Sequence, residues 1–299
     1  MIEDQQDEAA AIAGLMRGHS LEVVGRPDPG LERALGAVAP GTAIYVSSVP
    51  RVSYAEALVV AARVRRAGYE PVLHLAARKF ISTADLDATL ARAAGEAGVT
   101  RALVIAGDMA RPEGPYHESR QLLASGLFEK HGIIRLGIAG HPEGSPKIAP
   151  EAVWAALADK EALARERGLE LTIVTQFCFD AAPILVWLAR LRETGSRLPV
   201  RIGLAGPASV RTLMKLALLC GVGNSMRALG AMGGTLTRLL AETGPEPVIR
   251  ALARQPEPAV EGLHFFAFGG LERTAKWAVA IVEGRFAVTD QSFAVRSEG

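Results

Sequence analysis

Several polar residues lie at or just beyond the ends of predicted β-strands, where parallel strands of an α/β protein carry their chemistry. They are Glu22, the pair Ser47 and Ser48, His74, Asp108, His141, Gln176 and His264. Carboxylates and imidazoles transfer protons near neutral pH, and an amide both donates and accepts hydrogen bonds. The set therefore predicts a pocket that moves a proton on a planar heterocyclic substrate.

Glu22 is the strongest catalytic candidate. It lies within the apolar run Ser20-Leu21-Glu22-Val23-Val24, where a strand of a covered sheet is expected. An unpaired carboxylate in such a strand destabilises the fold or changes its pKa unless a partner or a reaction uses it. A salt bridge across the mouth of the fold is the structural alternative. For Asp108 the corresponding alternative is a helix N-cap, and for Gln176 it is a buried amide bonded to the backbone.

Several other classes of function are excluded by motif and composition. The chain has no His-Glu-x-x-His, Gly-x-Ser-x-Gly or Walker sequence, so we expect no catalytic metal and no serine hydrolase chemistry. Lys and Arg total 33 against 32 Asp and Glu, and this balance argues against nucleic acid as a partner. No apolar stretch is long enough to span a membrane, and the N-terminus is acidic, so we expect a cytoplasmic protein.

The elements that must position these residues alternate between apolar strands and amphipathic helices. Strands are predicted at Ser20–Gly25, Ala43–Val49, Pro71–Ala76, Ala102–Gly107, Arg135–Gly140, Leu171–Phe179, Val200–Ala205 and Leu263–Phe268. Helices are predicted at Leu31–Val38, Tyr54–Ala67, Ala84–Ala97, Ser119–Lys130, Pro150–Arg167, Pro183–Glu193, Val210–Leu219 and Leu271–Glu283. Eight such units favour an α/β fold of the closed (β/α)8 TIM barrel type over an open, doubly wound sheet.

The predicted organisation is one barrel domain over residues 19–299, preceded by an acidic leader or helix over residues 1–18. The interval between strands seven and eight is longer than the others. Its surplus, Gly223–Pro256, has a helical pattern. Barrels often carry an additional helix after strand seven. We therefore expect an extra helical segment here, beside the C-terminal rim of the barrel.

Six short motifs, in order, resemble those of methylenetetrahydrofolate reductases. They are Ser20-Leu21-Glu22, Leu73-His74-Leu75-Ala76-Ala77-Arg78, Ala106-Gly107-Asp108, Ala139-Gly140-His141-Pro142-Glu143, Thr175-Gln176-Phe177-Cys178-Phe179-Asp180 and Leu263-His264-Phe265-Phe266. The resemblance spans most of the chain and implies a (β/α)8 barrel that carries FAD. It also implies an oxidoreductase that interconverts 5,10-methylenetetrahydrofolate and 5-methyltetrahydrofolate with NADH or NADPH, in one-carbon metabolism and methionine biosynthesis.

The resemblance also implies roles for individual residues. Glu22 corresponds to the acid that protonates the bridging nitrogen of the folate, and Asp108 is expected at the rim as a catalytic carboxylate that also holds an edge of the pterin or the flavin. Gln176 and Phe177 would contact the folate with Asp108. The flavin contacts implied are His74, Gly107, Asp108, His141 and Lys160.

Departures from the family pattern fall mainly on the flavin side. Ala106 replaces the arginine of the family's Arg-Gly-Asp motif, and His141 replaces a tyrosine. The family's basic Lys-Arg-Lys run is Asp159-Lys160-Glu161 here. These losses predict weaker FAD binding than is usual for the family. They also leave open two alternatives: a flavin-independent, pterin-binding methyltransferase, or a non-catalytic folate-binding subunit. The choice between NADH and NADPH and the formation of a homo-oligomer are open as well.

Overall fold

Eight parallel strands close into a barrel in the computed structural model, which describes residues 2–28, 30–49, 51–146, 148–220, 240–257, 259–290 and 292–296. The strands are β1 (Ser20–Val24), β2 (Ala43–Ser47), β3 (Glu70–Ala76), β4 (Arg101–Ile105), β5 (Arg135–Gly140), β6 (Glu170–Thr175), β7 (Val200–Ala205) and β10 (Val260–Phe266). Neighbouring strands pair in chain order, and β10 pairs with both β7 and β1. The last pairing closes the sheet, so the predicted (β/α)8 barrel is confirmed and the open sheet is excluded.

The strand register places one residue of each neighbouring strand beside Glu22 of the first barrel strand. Glu22 on β1 is paired with Tyr45 on β2 and with Phe266 on β10. All five residues of β2 are buried, as expected for a strand that is covered on both faces. Glu22 is therefore flanked in the sheet by an aromatic residue on each side, Tyr45 and Phe266.

The described helices surround the barrel. They are α1 (Ile2–Met16), α2 (Leu31–Leu35), α3 (Tyr54–Arg66), α4 (Thr83–Gly95), α5 (Ser119–Leu123), α6 (Leu127–Lys130), α7 (Pro150–Arg167), α8 (Ala181–Glu193), α9 (Val210–Cys220), α10 (Glu246–Arg254) and α11 (Leu271–Val282). Local chemistry fixes several ends. Ser53 and Glu56 form a capping box at the start of α3, and Gly168 adopts the left-handed conformation that ends α7.

The segment between β7 and β10 differs from the prediction. Helix α10, which lies in the predicted surplus, packs on α1 and α8 and so occupies the outer helical ring. Helix α9, predicted as the ring helix, instead packs on residues at the C-terminal ends of β6, β7 and β10. The short strands β8 (Ala208–Ser209) and β9 (Glu242–Thr243) pair at the base of this excursion. Residues 221–239 lie outside the described residues.

Helix α1 is attached to the ring through one carboxylate that two arginines share, one of them buried and the other exposed. The Glu8 carboxylate accepts hydrogen bonds from Arg250 at 2.7 Å and from Arg254 at 2.5 Å, both on α10. The Arg250 side chain is 7% exposed and that of Glu8 is 12% exposed. The two arginines lower the pKa of Glu8 to about 2, against the opposing effect of burial. None of the described helices is long and apolar enough to cross a membrane.

Candidate active site

A carboxylate and two imidazoles meet inside the C-terminal end of the barrel. Oε2 of Glu22 lies 3.6 Å from Nε2 of His74 on β3 and 3.5 Å from Nε2 of His264 on β10. All three atoms are buried without a completed hydrogen bond. Because 17% of the Glu22 side chain is exposed, a ligand in the mouth can reach this group. Buried polar atoms that lack partners mark a place where a bound molecule can complete the hydrogen bonding.

Ser20 determines how His264 is held. Its hydroxyl oxygen lies 2.9 Å from Nδ1 of His264 and 3.5 Å from the carbonyl oxygen of Leu263. We assign the serine proton to the shorter contact, so Nδ1 accepts and the ring carries its proton on Nε2. That proton then points at the Glu22 carboxylate. The imidazole of His264 is fully buried, which leaves it little freedom to turn.

Charge and burial act against each other in this cluster. Burial alone would raise the pKa of Glu22, but His74, His264 and the Ser47 hydroxyl outweigh it, and the pKa is lowered from its usual value. Burial lowers the pKa of His74 to about 4, despite the attraction of the Glu22 charge. The free protein therefore holds a Glu22 carboxylate beside a neutral His74 at neutral pH.

An aromatic wall stands next to this cluster. The Phe266 and Phe268 rings stack at 5.6 Å, and Phe177 meets Phe268 edge-on at 5.1 Å. Gly203 on β7 makes room for this arrangement, because a Cβ there would lie 2.9 Å from Cε2 of Phe266 and overlap the Thr175 carbonyl oxygen. The predicted substrate contact Phe177 is only 1% exposed, so it supports the wall from behind.

Helix α9 covers the outer side of that wall. Its residues Leu213 and Ala217 pack in the same cluster as Phe177. At its end, burial raises the pKa of the Cys220 thiol, and the charges of Asp108 and Glu22 raise it further. The end of α9 therefore lies within electrostatic range of both carboxylates.

The other two predicted folate contacts stand at the rim. Asp108 is exposed just beyond β4, and no described helix begins beside it, so the N-cap alternative is wrong. Gln176 is half-buried just beyond β6; its backbone N–H donates to the Gly140 carbonyl at 2.8 Å. Its side-chain oxygen accepts from the Phe177 N–H at 3.1 Å. The amide is thus oriented by its own backbone, with its NH2 group available to a ligand.

The residues predicted to contact a flavin separate into two places. His74 lies inside the barrel at Glu22, whereas Gly107, His141 and Lys160 lie beyond it around β4, β5 and α7. Gly107 has a φ of +91°, a left-handed conformation that suits glycine. Lys160 is 9% exposed and makes no ion pair or hydrogen bond with the described residues.

The electrostatics around Lys160 fit an anionic group. Burial lowers the pKa of Lys160, and Glu118 partly offsets this effect. Burial also lowers the pKa of His141, and the Lys160 charge lowers it further, so the two side chains act on one another. A buried cation without a close carboxylate can hold a phosphate oxygen. Ala106, at the end of β4, contributes no charge, so Lys160 is the one cationic side chain among the residues predicted to contact a flavin.

Three residues of the central cluster have no role that the sequence alone indicates. His264 is polar at the end of a strand, but no local pattern pairs it with Glu22, and none distinguishes Ser20 or Tyr45. Only closure of the barrel could have indicated the contact between His264 and Glu22, because closure places the eighth strand beside the first. Across the part of the chain that is described, no group of three His, Cys, Asp or Glu side chains is arranged to hold a metal ion.

No protein-family model matches the chain. Among solved structures, dihydropteroate synthase (FolP) from Thermus thermophilus is 16% identical, with a TM-score of 0.48 over 89% of this chain and 92% of that chain. D-Hydantoinase from Bacillus sp. AR9 and dihydropyrimidinase from Brevibacillus agri NCHU1002 are each 14% identical, with TM-scores of 0.37 over 62% of this chain.

The chain spans less than half the length of these last two proteins, 46% and 45%. At such levels of similarity the three structures carry no information on substrate or chemistry. What this protein does is therefore inferred from its own closed barrel and from the ionisable cluster at the C-terminal mouth.

Proposed function

We propose that this protein is an oxidoreductase that interconverts 5,10-methylenetetrahydrofolate and 5-methyltetrahydrofolate, with NADH or NADPH as the hydride source and FAD as the relay. The proposal joins two independent lines of support. One is the ordered set of motifs that resembles methylenetetrahydrofolate reductases. The other is the geometry around Glu22, which has the groups that this reaction needs.

The observation that carries the proposal is the Glu22 carboxyl group between two buried imidazoles. Its Oε2 and the Nε2 atoms of His74 and His264 converge without completed hydrogen bonds. Opening the methylene bridge requires a proton on the bridging nitrogen of the folate, and closing it requires that proton to leave. A carboxyl group that is reachable from the mouth and held in one place is suited to both steps.

The remaining residues of the mouth orient the substrate. The NH2 group of Gln176 donates to an acceptor on the pterin ring, and Asp108 at the rim accepts from its amino group. Phe266, half-buried and paired with Glu22 in the strand register, offers the apolar face beside the reacting atoms. Ser20 and His264 hold the proton that faces Glu22.

The protonation state of Glu22 differs between the free and the substrate-bound protein. In the free protein the carboxylate accepts a proton, which suits formation of the methylene bridge from 5-methyltetrahydrofolate. A substrate that fills the mouth removes the remaining exposure of Glu22. Burial then raises its proton affinity, so the same group becomes the acid for the opposite direction.

A bound FAD would supply the relay for hydride between nicotinamide and substrate. Lys160 would hold its diphosphate, with His141 alongside and Gly107 allowing a close approach to the end of β4. Because Ala106 adds no positive charge, we expect weaker binding than in the family. Each charge-assisted bond to phosphate contributes roughly 1.5 to 3 kcal/mol, so one lost bond weakens affinity by about ten- to a hundredfold.

Glu22→Gln tests the proposal. The amide keeps the shape of the side chain but cannot transfer the proton, so turnover of methylene-folate should fall roughly 10²- to 10⁴-fold. Reduction of bound FAD by NADH or NADPH needs no proton from this residue and should continue at the wild-type rate in stopped-flow measurements. Glu151→Gln, on the exposed face of α7, is the matched control.

Three results would count against the proposal. Folate turnover by Glu22→Gln within about threefold of wild type would show that Glu22 is structural. No FAD binding in an absorption titration would remove the flavin from the reaction. Wild-type protein that binds folate but does not oxidise a nicotinamide would favour the methyltransferase or the non-catalytic subunit.

A further inference from the structure

Tyr45 lies directly beneath the two imidazoles of the Glu22 cluster. Its ring centre is 4.4 Å from that of His264, at an interplanar angle of 55°, and 5.8 Å from that of His74, edge-on. Tyr45 is also paired with Glu22 in the strand register and is only 2% exposed. One aromatic ring therefore contacts both histidines from the side away from the mouth.

The other side of Tyr45 borders a cavity at the N-terminal end of the barrel. This cavity has a volume of about 340 Å³. Residues at or near the starts of several strands line it, among them Arg101, Arg135, Glu170 and Glu261, and so does Tyr45. A space of this size with polar walls holds water. The Tyr45 ring is therefore placed between a polar cavity and the buried atoms at Glu22.

We propose that Tyr45 is the positioning residue of this site: its ring holds His74 and His264 against Glu22 and separates the carboxylate from the cavity below. The role of Glu22 in this proposal rests on the proposed function. The effect of Tyr45 on the protonation of the two histidines does not, and it can be measured without any substrate.

The ring of Tyr45, and not its hydroxyl group, carries this role. Among the described residues the structure shows no hydrogen bond to the Tyr45 hydroxyl. Burial raises the pKa of this phenol. Arg201 and Arg101 lower the pKa, and Glu261 and Glu70 raise it, so these charges at the N-terminal end largely offset one another. The role of Tyr45 therefore lies in the contacts of its ring with the two imidazoles and in the exclusion of water.

The Tyr45 ring keeps the pKa of His74 low. Burial is the main cause, and the positive charge that His264 carries when protonated also lowers it. Glu22 is the group that opposes them. If water entered from below, the burial effect would weaken and His74 would gain a proton more readily. A protonated His74 would compete with the substrate for the Glu22 charge.

The experiment compares Tyr45→Phe with Tyr45→Leu. The histidine C2–H resonances are followed by NMR from pH 3.5 to 8, and His74 is assigned among the six histidines with a His74→Gln sample. Tyr45→Phe keeps the ring and should leave His74 titrating near its wild-type value of about 4. Tyr45→Leu should raise that midpoint by about one to two pH units, because the side chain no longer fills the gap. Tyr45→Met serves if the leucine variant does not fold.

Turnover provides the second measurement. We expect Tyr45→Phe to stay within about twofold of wild type and Tyr45→Leu to lose about tenfold in kcat, with a displaced pH profile and little change in KM. A folded leucine or methionine variant with an unchanged His74 titration would overturn the proposal, and so would a phenylalanine variant that shifts equally. If the histidines respond as expected but no variant or wild-type sample turns over folate, the proposed function has failed and the positioning role stands.

Discussion

Oγ of Ser20 lies 2.9 Å from Nδ1 of His264, and this contact joins the first and the last strand of the barrel. The two residues are 244 positions apart in sequence. Because the serine hydroxyl occupies Nδ1, the proton of the imidazole is left on Nε2, which faces Glu22. A single hydroxyl group at the point of barrel closure thereby determines which hydrogen bond the carboxylate can receive.

Ser20→Ala should weaken this arrangement without removing any ionisable group. His264 would then exchange between its two tautomers, and the one without a proton on Nε2 cannot donate to Glu22. We expect a fall of roughly tenfold in kcat for folate turnover, with the rate of flavin reduction unchanged. The ¹⁵N shifts of His264 should move toward a mixture of tautomers. Ser125→Ala, in the outer helical layer, is the control; a Ser20→Ala protein with wild-type shifts would contradict the assignment.

The lowered pKa of Glu22 predicts opposite pH dependence for the two directions of the proposed reaction. Reduction of methylene-folate needs the protonated acid, and kcat/KM reports the free protein. Because the pKa of Glu22 lies below its usual value of 4.5, log kcat/KM should fall by about one for each pH unit between pH 6 and 8. Oxidation of 5-methyltetrahydrofolate uses the carboxylate and should be flat there.

Single-turnover measurements with folate below saturation, at constant ionic strength, test this pH dependence. They isolate the folate half-reaction from the reduction of the flavin. Glu22→Gln is the control, since its residual rate should show no slope in either direction. If log kcat/KM for the reduction were constant at low pH and began to fall only at pH 6 to 7, the pKa of Glu22 in the free protein would be raised above its usual value. That result would contradict the lowered pKa that its surroundings indicate.

Hydrophobic periodicity predicted most of the fold, because strands buried on both faces leave a clear pattern. Arg135–Gly140 and Val200–Ala205 were predicted with the bounds that the structure shows. Strand six was predicted through Phe179 but ends at Thr175, because Asp180 already caps α8 with a hydrogen bond to the Ala182 N–H. An apolar run cannot show where a strand yields to a helix cap.

A similar cause explains why α9 lies at the mouth of the barrel and α10 in the outer ring, and not the reverse. Both segments have the period of a helix with one apolar face, and this pattern does not say what the face will contact. For α9 the partner is the aromatic wall at the mouth; for α10 it is the outer layer, including α1. Only the three-dimensional position of the neighbouring strands decides between the two.

Individual residues of the site could be predicted from the sequence, but the contacts between them could not. Glu22 could be recognised alone, since a carboxylate in an apolar strand needs a reason. Its contacts with His264 and Tyr45 depend on barrel closure and strand register, which no local pattern records. His74 was expected at a flavin on the strength of the family motif. The structure shows in addition that its Nε2 lies 3.6 Å from Oε2 of Glu22, a contact that the motif does not predict.

Glu8→Gln should loosen the attachment of α1. The substitution leaves Arg250, whose side chain is 7% exposed, without its counter-charge, and we expect a loss of roughly 1 to 3 kcal/mol in the free energy of unfolding at pH 7. The folded pKa of Glu8 is lowered from 4.5 to about 2, so its contribution is complete above pH 4.5 and disappears as the pH falls toward 2.

Urea unfolding at pH 7 and at pH 3 checks the Glu8 prediction. The difference between wild type and Glu8→Gln should be smaller at pH 3 than at pH 7. Asp7→Asn removes a neighbouring exposed carboxylate of the same helix and should change the free energy of unfolding by less than about 0.5 kcal/mol. An equal effect of both substitutions would show that the Arg250 pair does not hold α1.

Lys160→Met separates a ligand-binding role of this lysine from a structural one. Methionine fills a similar volume without the charge, and Lys160 has no ion-pair partner among the described residues. The folded protein should therefore be as stable as wild type or more stable, since an uncompensated buried cation is removed. FAD affinity should fall by about ten- to a hundredfold, the value of one charge-assisted bond to phosphate. Arg165→Gln, on the same helix with a side chain 75% exposed, is the control for a general change of charge.

Ala106→Arg is the complementary change, because it restores the cation that the resembled family carries at this position. We expect it to raise FAD affinity by about tenfold in the wild-type background, if its guanidinium group meets the same diphosphate as Lys160. Combined with Lys160→Met, it should recover part of the lost affinity. Both effects are measured by titrating the apoprotein with FAD and following the flavin absorption and fluorescence. Unchanged affinity in Lys160→Met, with the expected gain in stability, would place the diphosphate elsewhere and leave Lys160 as a buried cation without a role in flavin binding.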